Sequence, residues 1–193
     1  MPVAPELSKK DIKRVNNALT NTRNEHRDRC YFFMLLYSGM RVSEPLGLSI
    51  ADVQNDDGTY KEYTTITKTK GLKAGRVYFP DSLHPYLDAY LKDRPSRFRS
   101  NQEHLFVSQR SKGKAMSVVN ATRLIKQAFI NAGLPTHSSH SCRRTFACLL
   151  RREHGIDLSV ISSLLRHESI KTSQLYFAAS TIEANEAVSK LKF

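Results

Sequence analysis

Cysteine is scarce. The 193 residues hold three, Cys30, Cys142 and Cys148, with no Cys-x-x-Cys pair. An odd, unspaced set excludes a disulfide frame and argues against a zinc site; Cys30 and Cys148 fall in apolar helical patterns, as buried reduced thiols do. Long apolar runs are missing too. No stretch approaches the roughly 18 residues that a membrane span needs. The start, Met-Pro-Val-Ala-Pro-Glu, has no basic segment leading into an apolar core, so no signal peptide is visible. These shortages point to a cytoplasmic protein without a membrane partner. No set of carboxylates, cysteines and histidines has ligand spacing, so neither a metal nor another cofactor is expected. Acidic residues are the last deficit: eighteen Asp and Glu face thirty Lys and Arg, a net charge of +12. A surplus of that size favours a polyanionic partner, nucleic acid before an acidic membrane face, although a merely soluble basic protein would carry it as well.

What is present reads as helices. The first seven residues contain two prolines and form an irregular lead-in. Ser8 with Asp11 makes an N-terminal box for a helix bearing Ile12, Val15 and Leu19. After a break at Asn21–Asn24, Cys30, Phe33, Met34 and Tyr37 recur at i, i+3, i+4 and i+7, with Gly39 at the C-cap. This is the expected core helix. Asn55-Asp-Asp-Gly58 signals a turn, and residues 63–67 and 76–79 read as two strands joined by a lysine- and glycine-rich tip. Ser82 can cap a helix with Leu83, Leu87, Tyr90 and Leu91. A basic linker follows at 94–100. Ser117 opens a helix with Val118, Ala121, Ile125 and Ala128 on one face, closed near Gly133.

The chemistry concentrates in the last quarter. His140 and Arg143 lie three apart and share a helix face, and Phe146, Leu149 and Leu150 continue the helical spacing. Asp157 can cap a further helix striped by Leu158, Ile161, Leu164 and Leu165, which leaves His167 at or just past its end. Tyr176 comes nine residues later, about half a turn out of register with His167 on an unbroken helix. Ser169 and Thr172 offer new caps there, so the chain can fold back. Thr181 can cap a last helix with a narrow stripe of Ala184, Val188 and Leu191. The whole predicts about eight helices and one hairpin: a mainly α, single domain over 1–193 with a small antiparallel sheet.

Each of these residues has an ordinary role in isolation. Arg41, just past Gly39 and the helix end, can cap a helix carboxyl end; the histidines and Tyr176 can be packing residues, and Arg143 with Arg144 can simply touch phosphates. Their joint order, however, resembles the catalytic domain of the tyrosine recombinases, the phage integrase family. Gly39-Met-Arg41-Val-Ser-Glu44 is similar to that family's first arginine motif. His140-Ser-Cys-Arg143 resembles its His-x-x-Arg box, Leu164-Leu-Arg-His167 its Leu-Gly-His element, and Thr172–Tyr176 its nucleophile segment. Thr67-Lys68-Thr69-Lys70 resembles its catalytic hairpin, in which Lys68 aligns best and Lys70 stays open. Arg166 stands where the family usually has glycine, and Arg144 where histidine is common. The resemblance covers roughly residues 6–180 and finds no counterpart to the helical N-terminal clamp of many relatives. A fragment and a small single-domain recombinase, resembling the fimbrial-switch invertases, are both open.

The resemblance implies a metal- and ATP-independent strand transferase acting on double-stranded DNA at a specific site. Arg41 and Arg143 would clamp the scissile phosphate, and Glu44 would brace the structure. His140 and His167 would hydrogen-bond the phosphate or assist proton transfer, Tyr176 would attack, and Lys68 would protonate the leaving 5′ oxygen. It further implies a monomer in isolation and a tetramer on DNA, with residues 181–193 exchanged between protomers, in a bacterial nucleoid or on a phage or mobile element. Two other classes remain: a noncatalytic DNA-binding protein on the same fold, and a nuclease using the histidines.

Overall fold

A computed structural model describes residues 4–67, 73–95, 100, 103–108 and 113–167. These hold six α-helices, α1 (Lys9–Leu19), α2 (Glu25–Ser38), α3 (His84–Asp93), α4 (Val118–Asn131), α5 (Ser139–His154) and α6 (Leu158–Leu164). Strands β1 (Tyr63–Ile66) and β2 (Gly75–Tyr78) form one antiparallel pair, and three 3-10 turns span Glu44–Gly47, Ile50–Asp52 and Asp81–Leu83. The mainly helical class with a small sheet is as expected. The breaks and caps expected beyond His167, including the last helix, lie outside the described residues.

Local signals set most element ends. Ser8 Oγ accepts the Asp11 amide at 3.2 Å, and Asp11 returns the bond to the Ser8 amide at 3.1 Å, the reciprocal box read from the sequence. Ser117 caps α4 through Asn120 N, Asp157 caps α6 through Ser159 N, and Gly39 ends α2 at φ 63°. The expected cap at Ser82 is different. Ser82 lies inside the 3-10 turn Asp81–Leu83, and α3 begins only at His84, with Pro85 in its first turn, where proline gives up no helical hydrogen bond.

Helix α2 is the centre of the molecule. Its spacing suggests one apolar face, yet Cys30 through Leu36 are all buried. The helix is enclosed because α1, α3, α5 and two of the 3-10 turns all pack on it. Phe32 meets Phe33 at 5.1 Å and Phe129 of α4 at 6.2 Å, both edge-on, while Tyr31 meets Phe106 at 4.9 Å. The three cysteines are free and buried, as expected. The sheet pairs Tyr63 with Tyr78, Thr64 with Val77, Thr65 with Arg76 and Ile66 with Gly75. Thr64 and Val77 turn inward, whereas Tyr63 and Tyr78 face solvent with Arg76 over the Tyr63 ring at 4.4 Å.

The lead-in is not loose where it is described. Leu7 is buried and its amide donates to Thr145 Oγ1 at 2.8 Å, Arg144 Nη1 donates to the Ala4 carbonyl, and Arg152 pairs with Glu6 at 2.6 Å. Residues 4–7 are thus strapped along α5, and Arg144 serves that strap.

The enclosure of α2 makes its side chains the most sensitive in the fold. Phe32 is fully buried, so Phe32→Ala is expected to lower the unfolding free energy by about 3–5 kcal/mol, as ring truncation in tight cores does. Urea denaturation of both proteins checks it; a loss under about 1 kcal/mol would show a core able to collapse around the gap.

Candidate active site

Arg143 sits in the second turn of α5, only 2% exposed. Its Nη1 donates to the Gly39 carbonyl and its Nη2 to the Leu165 carbonyl, each at 2.5 Å. Gly39 is the C-cap of α2 and Leu165 the C-cap of α6. A planar guanidinium suits this task because its forked donors hold two acceptors in a fixed plane. The carbonyl ends of two helices also carry partial negative charge, which a buried cation complements.

The other candidates follow from that clamp. Arg41 comes two residues after Gly39 and is half-buried. Its amide donates to Glu44 Oε2 at 2.6 Å, Glu44 N returns to the Arg41 carbonyl at 2.9 Å, and the Tyr31 hydroxyl donates to the Val42 carbonyl. The close fit at Gly39 demands glycine twice over: φ is 63°, and a Cβ there would lie 2.5 Å from the Phe146 ring. His167 comes two residues after Leu165 and is buried. His140 lies one turn before Arg143 on α5 and is exposed.

The end of α6 has a specific form. Arg166 N donates to Ser163 O at 2.9 Å and His167 N to Ser162 O at 3.1 Å, the paired bonds of a Schellman motif. That motif needs a left-handed residue, and Arg166 adopts φ 56°. Its side chain turns inward and pairs with Glu44 at 2.7 Å, both side chains 1% exposed. The extra charge that the sequence puts in place of glycine is therefore buried against the carboxylate of the first motif, 122 residues away. Sequence reading located Arg166 but not this partner; the one available signal was an arginine at a helix end that favours glycine.

Electrostatics tie the cluster together. Burial first, then the charges of Arg143, Arg41 and Arg166, push the His167 pKa down to about 4. His140 is lowered by the same kinds of cause, enclosure of its ring before Arg143 and Arg41. Arg41, His140, Arg143 and His167 are thus brought together into one positive patch with both histidines biased to the neutral form. Lys68, Lys70 and Tyr176 lie outside the described residues, as do residues 181–193. The described base of the hairpin does reach the patch. A cleft lined in part by Lys73, Gly75, Arg76, Ser162, Arg166 and His167 runs between β2 and α6. Among the described residues no group of three or more His, Cys, Asp and Glu could hold a metal ion, and no helix is long and apolar enough to cross a membrane.

Comparison with known proteins agrees with this geometry. The model of the phage integrase family matches residues 5–182. The chain is 29% identical over 186 residues to tyrosine recombinase XerC of Caldanaerobacter subterraneus subsp. tengcongensis, covering 95% of this chain and 50% of the relative. It is 29% identical over 185 residues to tyrosine recombinase XerA of Pyrococcus furiosus, covering 95% of this chain and 60% of that one. The chain therefore spans about half to three fifths of the length of these relatives. Among solved structures, a XerA recombinase superposes with a TM-score of 0.78 at 26% identity, over 100% of this chain and 65% of that one. The XerH site-specific recombinase bound to palindromic difH substrate shares the fold, with a TM-score of 0.75 at 24% identity over 98% of this chain and 54% of that one.

The depressed His167 pKa has a sign that can be tested. In the unfolded chain a histidine takes up its proton below about 6.5, but in the folded protein His167 does so only below about 4. Between those values the unfolded state binds more protons, so the contribution to stability is complete above the upper value and is lost as pH falls toward the lower. Urea unfolding at pH 7 and pH 4.5 should show the wild type losing more stability on acidification than His167→Gln. Equal losses would mean that His167 titrates normally.

Proposed function

Because the chain belongs to the phage integrase family, we propose that it is a site-specific DNA recombinase, of integrase or invertase type, that cuts and rejoins strands through a 3′-phosphotyrosyl intermediate. The observation that carries this reading is the patch itself: the Arg143 clamp at Gly39 and Leu165 sets Arg41 and His167 each two residues from it, and both histidines, lowered first by burial, feel the charges of Arg143 and Arg41. Such a field suits a phosphodiester, whose nonbridging oxygens need fixed positive charge and forked donors.

Arg143 and Arg41 would bind the two nonbridging oxygens of the scissile phosphate. A His167 that is neutral at pH 7 can donate one ring N–H to a phosphate oxygen without adding a charge, and an incoming phosphate would raise its proton affinity in turn. His140, at the open rim, would share that contact or take up the phenol proton. The Tyr176 oxygen would attack phosphorus, the bond to the 5′ oxygen would break, and Lys68, or Lys70 in its place, would supply the proton that makes the departing group a 5′ hydroxyl. Attack by the 5′ hydroxyl of another strand reverses the sequence and returns the tyrosine. The phosphoryl bond is conserved throughout, so neither ATP nor a metal is called for. Support for Lys68 and Tyr176 comes from the resemblance of their sequence segments.

Duplex DNA carrying a specific site is the proposed substrate, in keeping with the +12 charge and with relatives such as XerH, which is solved on its difH substrate. A tetramer on DNA, built from protomers that are monomeric alone and linked through residues 181–193, and a cytoplasmic location belong to the same proposal.

The test uses a nicked duplex bearing the native site, denatured after incubation. A covalent protein–DNA band is expected, with Tyr176→Phe abolishing the band while leaving DNA affinity nearly unchanged, since one hydroxyl adds little to phosphate-driven binding. Retarded but unlinked DNA from the wild type would favour the noncatalytic reading, and free cleaved ends a nuclease. An adduct formed by the Tyr176→Phe variant would show that another residue is the nucleophile.

A further inference from the structure

Arg166 makes five separate attachments, and they do not all serve one element. Its amide closes α6 by donating to Ser163 O, and its carbonyl accepts the Lys73 amide at 3.1 Å, at the base of the hairpin. Its aliphatic stem lies over β2 so closely that a Cβ on Gly75 would meet Arg166 Cγ at 3.1 Å and Cδ at 3.2 Å. Its guanidinium donates through Nη1 to the Leu164 carbonyl at 3.2 Å and through Nη2 to Glu44 Oε2 at 2.7 Å. That same Glu44 oxygen accepts the Arg41 amide at 2.6 Å.

A residue in this place has no local reason to be arginine. Arg166 and Asn21 are the described non-glycine residues with positive φ; asparagine tolerates that region, whereas a long side chain is disfavoured there. Burying an ion pair adds little net stability over apolar packing, because both ions lose their water. A strained backbone and a buried charge in one residue call for a return other than stability, and the attachments supply it. They reach the Arg41 turn, the α6 end that presents His167, and the hairpin base.

The geometry points to Arg166 as a positioning residue: through Glu44, Lys73 and Gly75 it locks the Arg41 turn and the hairpin base to the end of α6, a second tie that, with the Arg143 clamp, narrows the freedom of Arg41 and His167 relative to each other. This rests on the strand-transfer reading above for its catalytic consequence, but the lock itself is a property of the free protein. Arg166 does not touch the reacting atoms. Without it, Arg41 would keep its own Glu44 brace and His167 its helix end, and only the Arg143 clamp, two residues back at Gly39 and Leu165, would tie the two turns together.

Removing Arg166 alone would strand a buried Glu44 carboxylate, a severe defect by itself. The informative variant is therefore the double one, Arg166→Gly with Glu44→Gln. Glycine accepts φ 56° without strain, and the glutamine carbonyl can still accept the Arg41 amide. This variant should bind the nicked duplex like the wild type and keep its thermal midpoint, yet cleave between roughly ten- and a hundredfold more slowly at saturation, as small misplacements of reacting groups do. Hydrogen exchange on the free protein should quicken at the Arg41 and Lys73 amides together. Arg166→Lys, which keeps a cation but not the fork, should recover part of the rate. A wild-type cleavage rate in the double variant, or wild-type protection at both amides, overturns the assignment. If the native protein itself forms no adduct, the strand-transfer reading fails, and the exchange measurement alone then decides whether the lock exists.

Discussion

One buried guanidinium organises this molecule. Arg143 reaches out of the second turn of α5 and holds the carbonyls of Gly39 and Leu165, the capping residues of α2 and α6. Two helices from opposite ends of the chain thus finish at one point. The residue two past the first cap is Arg41 and the residue two past the second is His167, while His140 stands one turn away on α5 itself. The cluster is a consequence of that meeting of helix ends. A charge-assisted hydrogen bond contributes about 1.5–3 kcal/mol, so the clamp is strong enough to set the geometry against thermal motion. The close approach it requires also explains why Gly39 leaves no room for a side chain against Phe146.

The same arrangement accounts for the electrostatics. Helix carboxyl ends carry partial negative charge, and here they are turned inward onto Arg143. Around its histidines the patch presents Arg41 and Arg143, whose charges add to burial in lowering both pKa values. A histidine in such a field is held neutral until an anion arrives, which lets it act as a hydrogen-bond donor and proton acceptor near neutral pH. With the guanidinium of Arg143 held by main-chain carbonyls and the histidines beside the arginines, the patch would have little to reorganise for an incoming anion.

Much of this was legible in the sequence where the determining forces are local. The Ser8–Asp11 box, the Ser117 and Asp157 caps and the Gly39 terminus are set by residues within one turn, and each stands where the spacing put it. Apolar period found α2 but showed only one of its faces; that the opposite face is also buried depends on neighbours supplied by distant stretches. Ser82 looked like a cap because serine caps helices, yet Pro85 in the first turn of α3 and a preceding 3-10 turn displaced the start. The strap of residues 4–7 on α5 and the Arg166–Glu44 pair join positions more than 100 apart, and no spacing rule reaches that far. Four site positions followed from motif order, and the structure gathers them; the parts played by Lys68 and Tyr176 still rest on the likeness of their motifs.

The central claim is that Arg41, His140, Arg143 and His167 form a single phosphate-binding patch built by the Arg143 clamp. The most direct measurement is the structure of the protein bound to a nicked duplex carrying its site. The account predicts one phosphate within hydrogen-bond distance of all four side chains, with the Arg143 bonds to Gly39 and Leu165 unbroken. A complex in which the phosphates track some other basic face, leaving these four residues without a phosphate, would contradict it.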